Sequence, residues 1–113
     1  EPERAALVHF DAFPGNVLSD GRRITAVLDF GTTALIGDPR LDPIAAAVYL
    51  APEITPEATD RDRAVAGDWL AARGMDAPLP AVRRWIAAYW AFADDDPTLH
   101  AWCRRILDAP PSP

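Results

Sequence analysis

A turn signal, Asp20-Gly21, separates two short runs with strand character, Asn16-Val17-Leu18-Ser19 and Ile24-Thr25-Ala26-Val27-Leu28. Asp-Gly between apolar runs is a strong local hairpin cue, because the turn needs backbone conformations that glycine adopts without a Cβ penalty. Antiparallel pairing then puts the start of the first strand beside the end of the second. Asn16 and Asp29 fall within about two residues of opposition, or roughly 7 Å at strand spacing. An amide oxygen and a carboxylate at that separation can share one cation.

Just before the hairpin lies His9-Phe10-Asp11-Ala12-Phe13-Pro14-Gly15-Asn16, a fit to H-x-D-x-x-x-x-N. The second strand runs into Asp29-Phe30-Gly31. The two motifs together supply one candidate base, Asp11, and two hard oxygen ligands, Asn16 and Asp29, of the kind magnesium prefers. Phosphoryl transfer asks a protein for little more than an oriented hydroxyl and neutralised phosphate charge. Asp11 suits the first task, mainly by orientation, since an ordinary carboxylate is a weak base. Asp29 brings charge to a magnesium ion, and Asn16 adds a ligand without repelling phosphates. His9 is expected to brace the loop by hydrogen bonds. Asp42 is expected to cap its own helix with one oxygen and to hold loop N–H groups with the other.

From Asp42 the pattern is helical. Asp42-Pro43 predicts a helix start, Ile44, Ala47, Val48 and Ala51 share one face, and Pro52 predicts the end. Thr55-Pro56-Glu57 predicts a second helix running to about Arg73, with Gly74 as its stop. A third is expected from about Pro80 to Ala93, with Val82, Trp85, Ile86 and Tyr89 inward. Asp96-Pro97 opens a fourth, with Leu99, Trp102, Cys103 and Ile106 inward. Many of the 12 prolines fall at such starts, which argues for order rather than a disordered chain. The fold class is α+β, mostly α. One domain spans residues 1–109, with the catalytic loop and hairpin in 1–40, the helices in 41–109 and a loose tail at 110–113.

At 113 residues and net charge −6 the chain lacks the basic face that nucleic acid requires, and it is compatible with a cationic substrate. All 11 basic residues are arginine. The longest apolar run, Ile44 to Ala51, is too short for a bilayer. A lone cysteine, Cys103, excludes an internal disulfide, points to a reducing, cytoplasmic setting, and reads as a packed thiol. One Cys and two distant His do not make a standard zinc site. Asp94-Asp95-Asp96 reads as a solvated turn ending in a cap. Tyr89, Trp90 and Phe92 read as core, and Arg83-Arg84 and Arg104-Arg105 as exposed. His100 has no assigned role.

The segment Leu7 to Leu18 resembles the catalytic loop of the aminoglycoside phosphotransferase family, usually close to H-G-D-x-x-x-x-N with Pro-Gly before the Asn. Val27-Leu28-Asp29-Phe30-Gly31 and Gly37-Asp38-Pro39-Arg40-Leu41-Asp42 resemble that family's metal-binding strand and its G-D-P-x-x-D signature. The resemblance covers about the first 50 residues. It implies part of a protein-kinase-like C-lobe, with catalytic loop, short hairpin and about four helices. It implies O-phosphorylation of a small-molecule hydroxyl by ATP or GTP. Asp11 would be the base, Asn16 and Asp29 would hold Mg2+ and through it the nucleotide, and His9 and Asp42 would support the loop. Family members include antibiotic-resistance enzymes, but the resemblance does not fix the substrate. Two departures stand out: Phe10 where glycine is usual, and Phe13 where a polar residue is common. After Asp29-Phe30-Gly31 the chain reaches Asp42 quickly, leaving no room for a long activation loop, which disfavours a protein kinase.

The family's N-lobe lysine has no counterpart, because the chain has no lysine, and there is no Gly-rich phosphate loop. The N-lobe and first C-lobe helices are read as absent. Two expectations follow: negligible turnover by this chain alone, and self-association through uncovered apolar surface, including the aromatic helices that carry Trp69, Trp85, Trp90 and Trp102. The competing reading is a non-catalytic helical interaction module that retains a relic kinase motif.

Overall fold

Two two-stranded antiparallel sheets come first and four helices follow. The computed structural model describes residues 4–31 and 33–111. Strand β1 (Ala6–Val8) enters the loop that carries His9 and Asp11, and a 3-10 turn (Pro14–Asn16) closes it. Strands β2 (Val17–Ser19) and β3 (Ile24–Val27) form the hairpin, with Val17 opposite Val27 and an irregularity between Leu18 and Ser19. At its tip Asp20 Oδ1 accepts from the Arg22 and Arg23 N–H groups, so the turn is held by its own aspartate.

The sequence gives little sign of the next pairing. Strand β4 (Leu35–Gly37) lies antiparallel to β1, with Ala6 opposite Gly37 and Val8 opposite Leu35. Three residues are too few to show a period. This pairing brings the Gly37–Asp42 turn back to the loop that β1 feeds. Asp38 shapes the turn: its carboxylate accepts from the Arg40 N–H and guanidinium, which hold its carboxyl down to about 2.

Helix α1 (Leu41–Val48) begins one residue before Asp42, so Asp42 is not its N-cap. The N-cap position is Arg40, without a side-chain cap, and Pro43 falls in the first turn, where its missing N–H is no loss. Both Asp42 oxygens go to the loop. Two buried amides without acceptors would cost more than one missing cap. The helix also ends earlier than Pro52. The Thr55 hydroxyl donates to the Tyr49 carbonyl at 2.6 Å, so Thr55 closes α1 instead of opening α2.

Helix α2 (Asp60–Ala72) starts at a reciprocal capping box. Thr59 Oγ1 accepts from the Asp62 N–H, and Asp62 Oδ2 accepts from the Thr59 N–H. Gly74, with φ +67°, follows the helix end as expected. Helix α3 (Leu79–Trp90) and helix α4 (Pro97–Asp108) complete the chain, and Asp96 caps α4 through the Leu99 N–H. The predicted inner face of α4 holds: Trp102 and Cys103 are buried, and Leu99 and Ile106 pack against the core. That core joins Val8 and Phe10 of the loop region to Ile44, Ala45 and Val48 of α1, Leu70 of α2, and Val82, Ile86 and Ala87 of α3.

Two surface expectations are corrected, for the aromatic run around the end of α3 and for the Arg83-Arg84 pair. Tyr89 is 37% and Phe92 70% exposed, so neither is core, and Trp90 is only half-buried. Arg84 does not extend into solvent. Its guanidinium donates to the Ile106, Leu107 and Ala109 carbonyls, which satisfies the acceptors that α4 leaves open at its C-terminus. Arg83 is likewise half-buried. Among the described residues no helix is long and apolar enough to cross a membrane. Ser112 and Pro113 of the expected tail lie outside the described residues.

Candidate active site

His9 organises the loop. Its N–H donates to Asp42 Oδ2 at 2.9 Å, and the next N–H, of Phe10, donates to Asp42 Oδ1 at 2.7 Å. One carboxylate on α1 thus binds two consecutive peptides. The ring acts on both sides. Nδ1 accepts from the Asp11 N–H at 3.1 Å, which leaves Nε2 as the protonated nitrogen donating to the Leu28 carbonyl at 2.6 Å. The Thr33 hydroxyl donates to the His9 carbonyl, and the Phe30 ring packs against the imidazole at 4.3 Å between centroids. His9 thus makes five contacts, with Asp42, Asp11, Leu28, Thr33 and Phe30.

Phe10 explains why glycine suits its position. Its φ is +66°, in the left-handed region where a Cβ costs about 1–2 kcal/mol. Here the turn is held by tertiary contacts. Asp42 holds the N–H, the Tyr49 hydroxyl donates to the carbonyl at 2.8 Å, and the buried ring lies 4.6 Å from that of Trp85. Burial pushes the Tyr49 hydroxyl up to about 12, so it stays protonated and keeps donating. Tyr49 escapes a motif search; it stands at the C-cap of α1, seven residues after Asp42.

Asn16 is 6% exposed, and its Nδ2 donates to the Asp11 backbone carbonyl at 2.9 Å and to Asp11 Oδ2 at 3.3 Å. With the amide nitrogen so engaged, Oδ1 is left without a hydrogen-bond partner among the described residues. The Asn16 carbonyl accepts from the Leu28 N–H at 2.7 Å. Leu28 is therefore clamped at both ends of its backbone, by Asn16 and by His9, and Asp29 follows it directly. Asp29 has φ +57°, a turn that re-aims the chain as β3 ends. Its carboxylate forms no hydrogen bond or ion pair among the described residues. The hairpin register thus places residues 16 and 29 one step from direct opposition.

The Asp11 carboxyl is pushed above the usual carboxylate range, first by burial. His9 and the Asn16 hydrogen bond pull it down, and the Asp29 charge pushes it up. Two hard oxygens without protein partners, one of them anionic, fit magnesium, which keeps several waters and accepts few protein ligands. Among the described residues no three His, Cys, Asp or Glu side chains gather at a metal-binding distance.

Asp11 also lines a cavity of about 240 Å³ together with Phe13, Tyr49, Glu53, Trp90 and Asp96. Phe13 reaches it by folding over Gly15, where a Cβ would come within 2.5 Å of the ring. Glu53 and Trp90 carried no functional signal in the sequence, because the loop, the turn after α1 and the end of α3 meet only in the fold; Phe13 stood out only as a departure at a position that is commonly polar. Asp96, read as a cap, is a cap and a cavity wall at once.

Residues 1–86 match the model of the phosphotransferase enzyme family. The chain belongs to that family. The match takes in the loop, the hairpin, β4, α1, α2 and most of α3, and it agrees with the aminoglycoside phosphotransferase resemblance of the loop. No curated protein and no solved structure matches this phosphotransferase-family chain. Within its family match, the His9–Asn16 loop is joined to the Asp29 turn through the Leu28 backbone, whose N–H donates to the Asn16 carbonyl and whose carbonyl accepts from His9.

Proposed function

We propose that this chain carries the catalytic loop and cation-binding hairpin of a kinase-like C-lobe, in an enzyme that moves the γ-phosphoryl group of ATP or GTP onto a small-molecule hydroxyl. The observation that supports this best is the linked set Asp11–Asn16–Leu28–Asp29. Asp11 accepts the hydroxyl proton of the acceptor and fixes the direction of its lone pair. Asn16 holds that carboxylate in one orientation through Nδ2. The raised Asp11 carboxyl improves the match to a hydroxyl proton as transfer proceeds. Asn16 Oδ1 and the Asp29 carboxylate would hold magnesium, which supplies charge neutralisation at the phosphates when bound.

The cavity beside Asp11 receives the acceptor. Three aromatic rings and the carboxylates of Asp11 and Asp96, beside a Glu53 already paired with Arg105, make its wall anionic and π-rich, with no basic side chain among its lining residues. That wall favours an acceptor bearing an ammonium group. The volume suits one ring or a short chain. The 113 residues contain no lysine, so a cationic grip on the nucleotide phosphates falls to arginine or to groups outside them, and the chain by itself turns over negligibly.

Manganese titration of the 15N-labelled chain tests the cation site. Paramagnetic broadening is expected first at the Asn16 side-chain amide and the Leu28 and Asp29 amides, and Asp29→Asn weakens it. Broadening centred on Asp94–Asp96 would remove the basis of the proposal. An ADP-release assay tests the activity of the isolated chain: turnover near ~1 per second would refute its inactivity while supporting the chemistry.

A further inference from the structure

Glu53 stands in the walls of two cavities: the one beside Asp11, and a second of about 340 Å³ among the four helices. The second has the opposite character. Arg63 of α2, Arg83 of α3 and Arg105 of α4 all line it, and Glu53 is the one acidic residue of its wall. Trp102 and Leu79 give it an apolar side. This concentration of cations stands out in a chain with 17 acidic and 11 basic residues.

The three guanidiniums differ in what they already hold. Arg63 is fixed, donating to the Leu50 and Ala58 carbonyls and to the exposed Asp60. Arg105 pairs with Glu53 Oε1, while Glu53 Oε2 is buried without a hydrogen-bond partner. Arg83 is half-buried and makes no side-chain hydrogen bond or ion pair among the described residues. A guanidinium that has given up part of its hydration without gaining an acceptor is unfavourable, and a planar carboxylate matches its fork of donors.

We infer that this cavity is a binding site for a small organic carboxylate with an apolar body, its head group between Arg83 and Arg105 and its body against Trp102 and Leu79. The ligand makes up the missing negative charge, and the apolar wall sets it apart from an inorganic anion. Glu53 is its internal competitor, because it already occupies Arg105.

Hexanoate is a suitable probe, titrated at constant ionic strength into the 15N-labelled 113-residue chain. Saturable shifts are expected at the Trp102 indole and the Arg83 and Arg105 Nε signals. Arg83→Gln is expected to weaken binding about tenfold or more, and Glu53→Gln to tighten it by freeing Arg105. Tightening in Glu53→Gln also keeps the test decisive if the Arg83 variant does not fold. The inference fails if hexanoate leaves these signals unmoved, if hexanol moves them equally, if inorganic phosphate binds as tightly, or if a folded Arg83→Gln binds as well as the parent chain.

Discussion

Phe10 carries a backbone cost and a packing gain in one residue, and the two separate by mutation. Phe10→Ala removes the ring but keeps a Cβ at φ +66°, while Phe10→Gly removes both. Losing a buried phenyl ring costs about 3–5 kcal/mol, and relief of the left-handed strain returns about 1. Urea unfolding is therefore expected to rank the parent chain above Phe10→Gly, and Phe10→Gly above Phe10→Ala by about 1 kcal/mol. Equal stability of the two variants would show that the loop relaxes out of this conformation. Asp11 offers a second test, through pH. Its carboxyl is raised in the fold, so its contribution to stability is complete below the usual carboxylate range and is lost as pH rises through the folded-state value. Asp11→Asn removes that loss. Its melting temperature is expected to exceed the parent's at neutral pH, by a few degrees at most, with the difference closing in acid. A variant less stable at neutral pH would show that the Asn16 contact outweighs the burial of charge.

The helix ends show which local signals decide structure here. Thr59-x-x-Asp62 is a complete capping box, and Thr59→Ala is expected to cost about 1 kcal/mol by thermal or urea unfolding. Asp42 acts at longer range. Asp42→Ala leaves the buried His9 and Phe10 amides without acceptors and is expected to cost on the order of 3 kcal/mol. It should also free the His9 and Phe10 amides to hydrogen exchange, which Thr59→Ala should not. Protection retained in Asp42→Ala would mean that β1 and β4 hold the loop unaided. What the sequence made legible follows the same division. The Asp20-Gly21 turn, the Asp96 cap and the Gly74 stop are local chemistry, and each was readable. The hairpin register, one step from opposition for residues 16 and 29, was readable for the same reason, since one turn fixes it. Thr55 misled because Pro56 after it imitates a helix start, whereas its hydroxyl was needed by Tyr49. The β1–β4 pairing, the Arg84 cap on α4 and the Trp90 and Glu53 walls depend on contacts far apart in the chain, and no spacing within one element encodes them.

At the scale of the molecule, the β1–β4 sheet is covered on one face only. Val8 and Leu35 pair across β1 and β4 toward the core side, while the alternate pair, Leu7 and Ile36, is 61% and 71% exposed. Ile24 and Phe30 of the hairpin region are also more than half exposed, and Phe92 adds a third apolar area after α3. Exposed cross-strand apolar pairs attract a second surface, and short two-stranded sheets present open edges that another chain can extend. The net charge of −6 opposes association at low salt, and added salt screens it while leaving the apolar drive intact. Association is therefore expected to rise with protein concentration and to strengthen with salt, the reverse of an ion-pair interface. Sedimentation velocity across concentration and salt measures both trends. The double variant Leu7→Glu/Ile36→Glu places like charges directly opposite each other on that face, which should shift the chain toward monomer. A parent chain that sediments as a monomer at every concentration and salt level would show that the Leu7–Ile36 face is tolerated by water. Association unchanged in the double variant would move the contact to the Phe92 area instead.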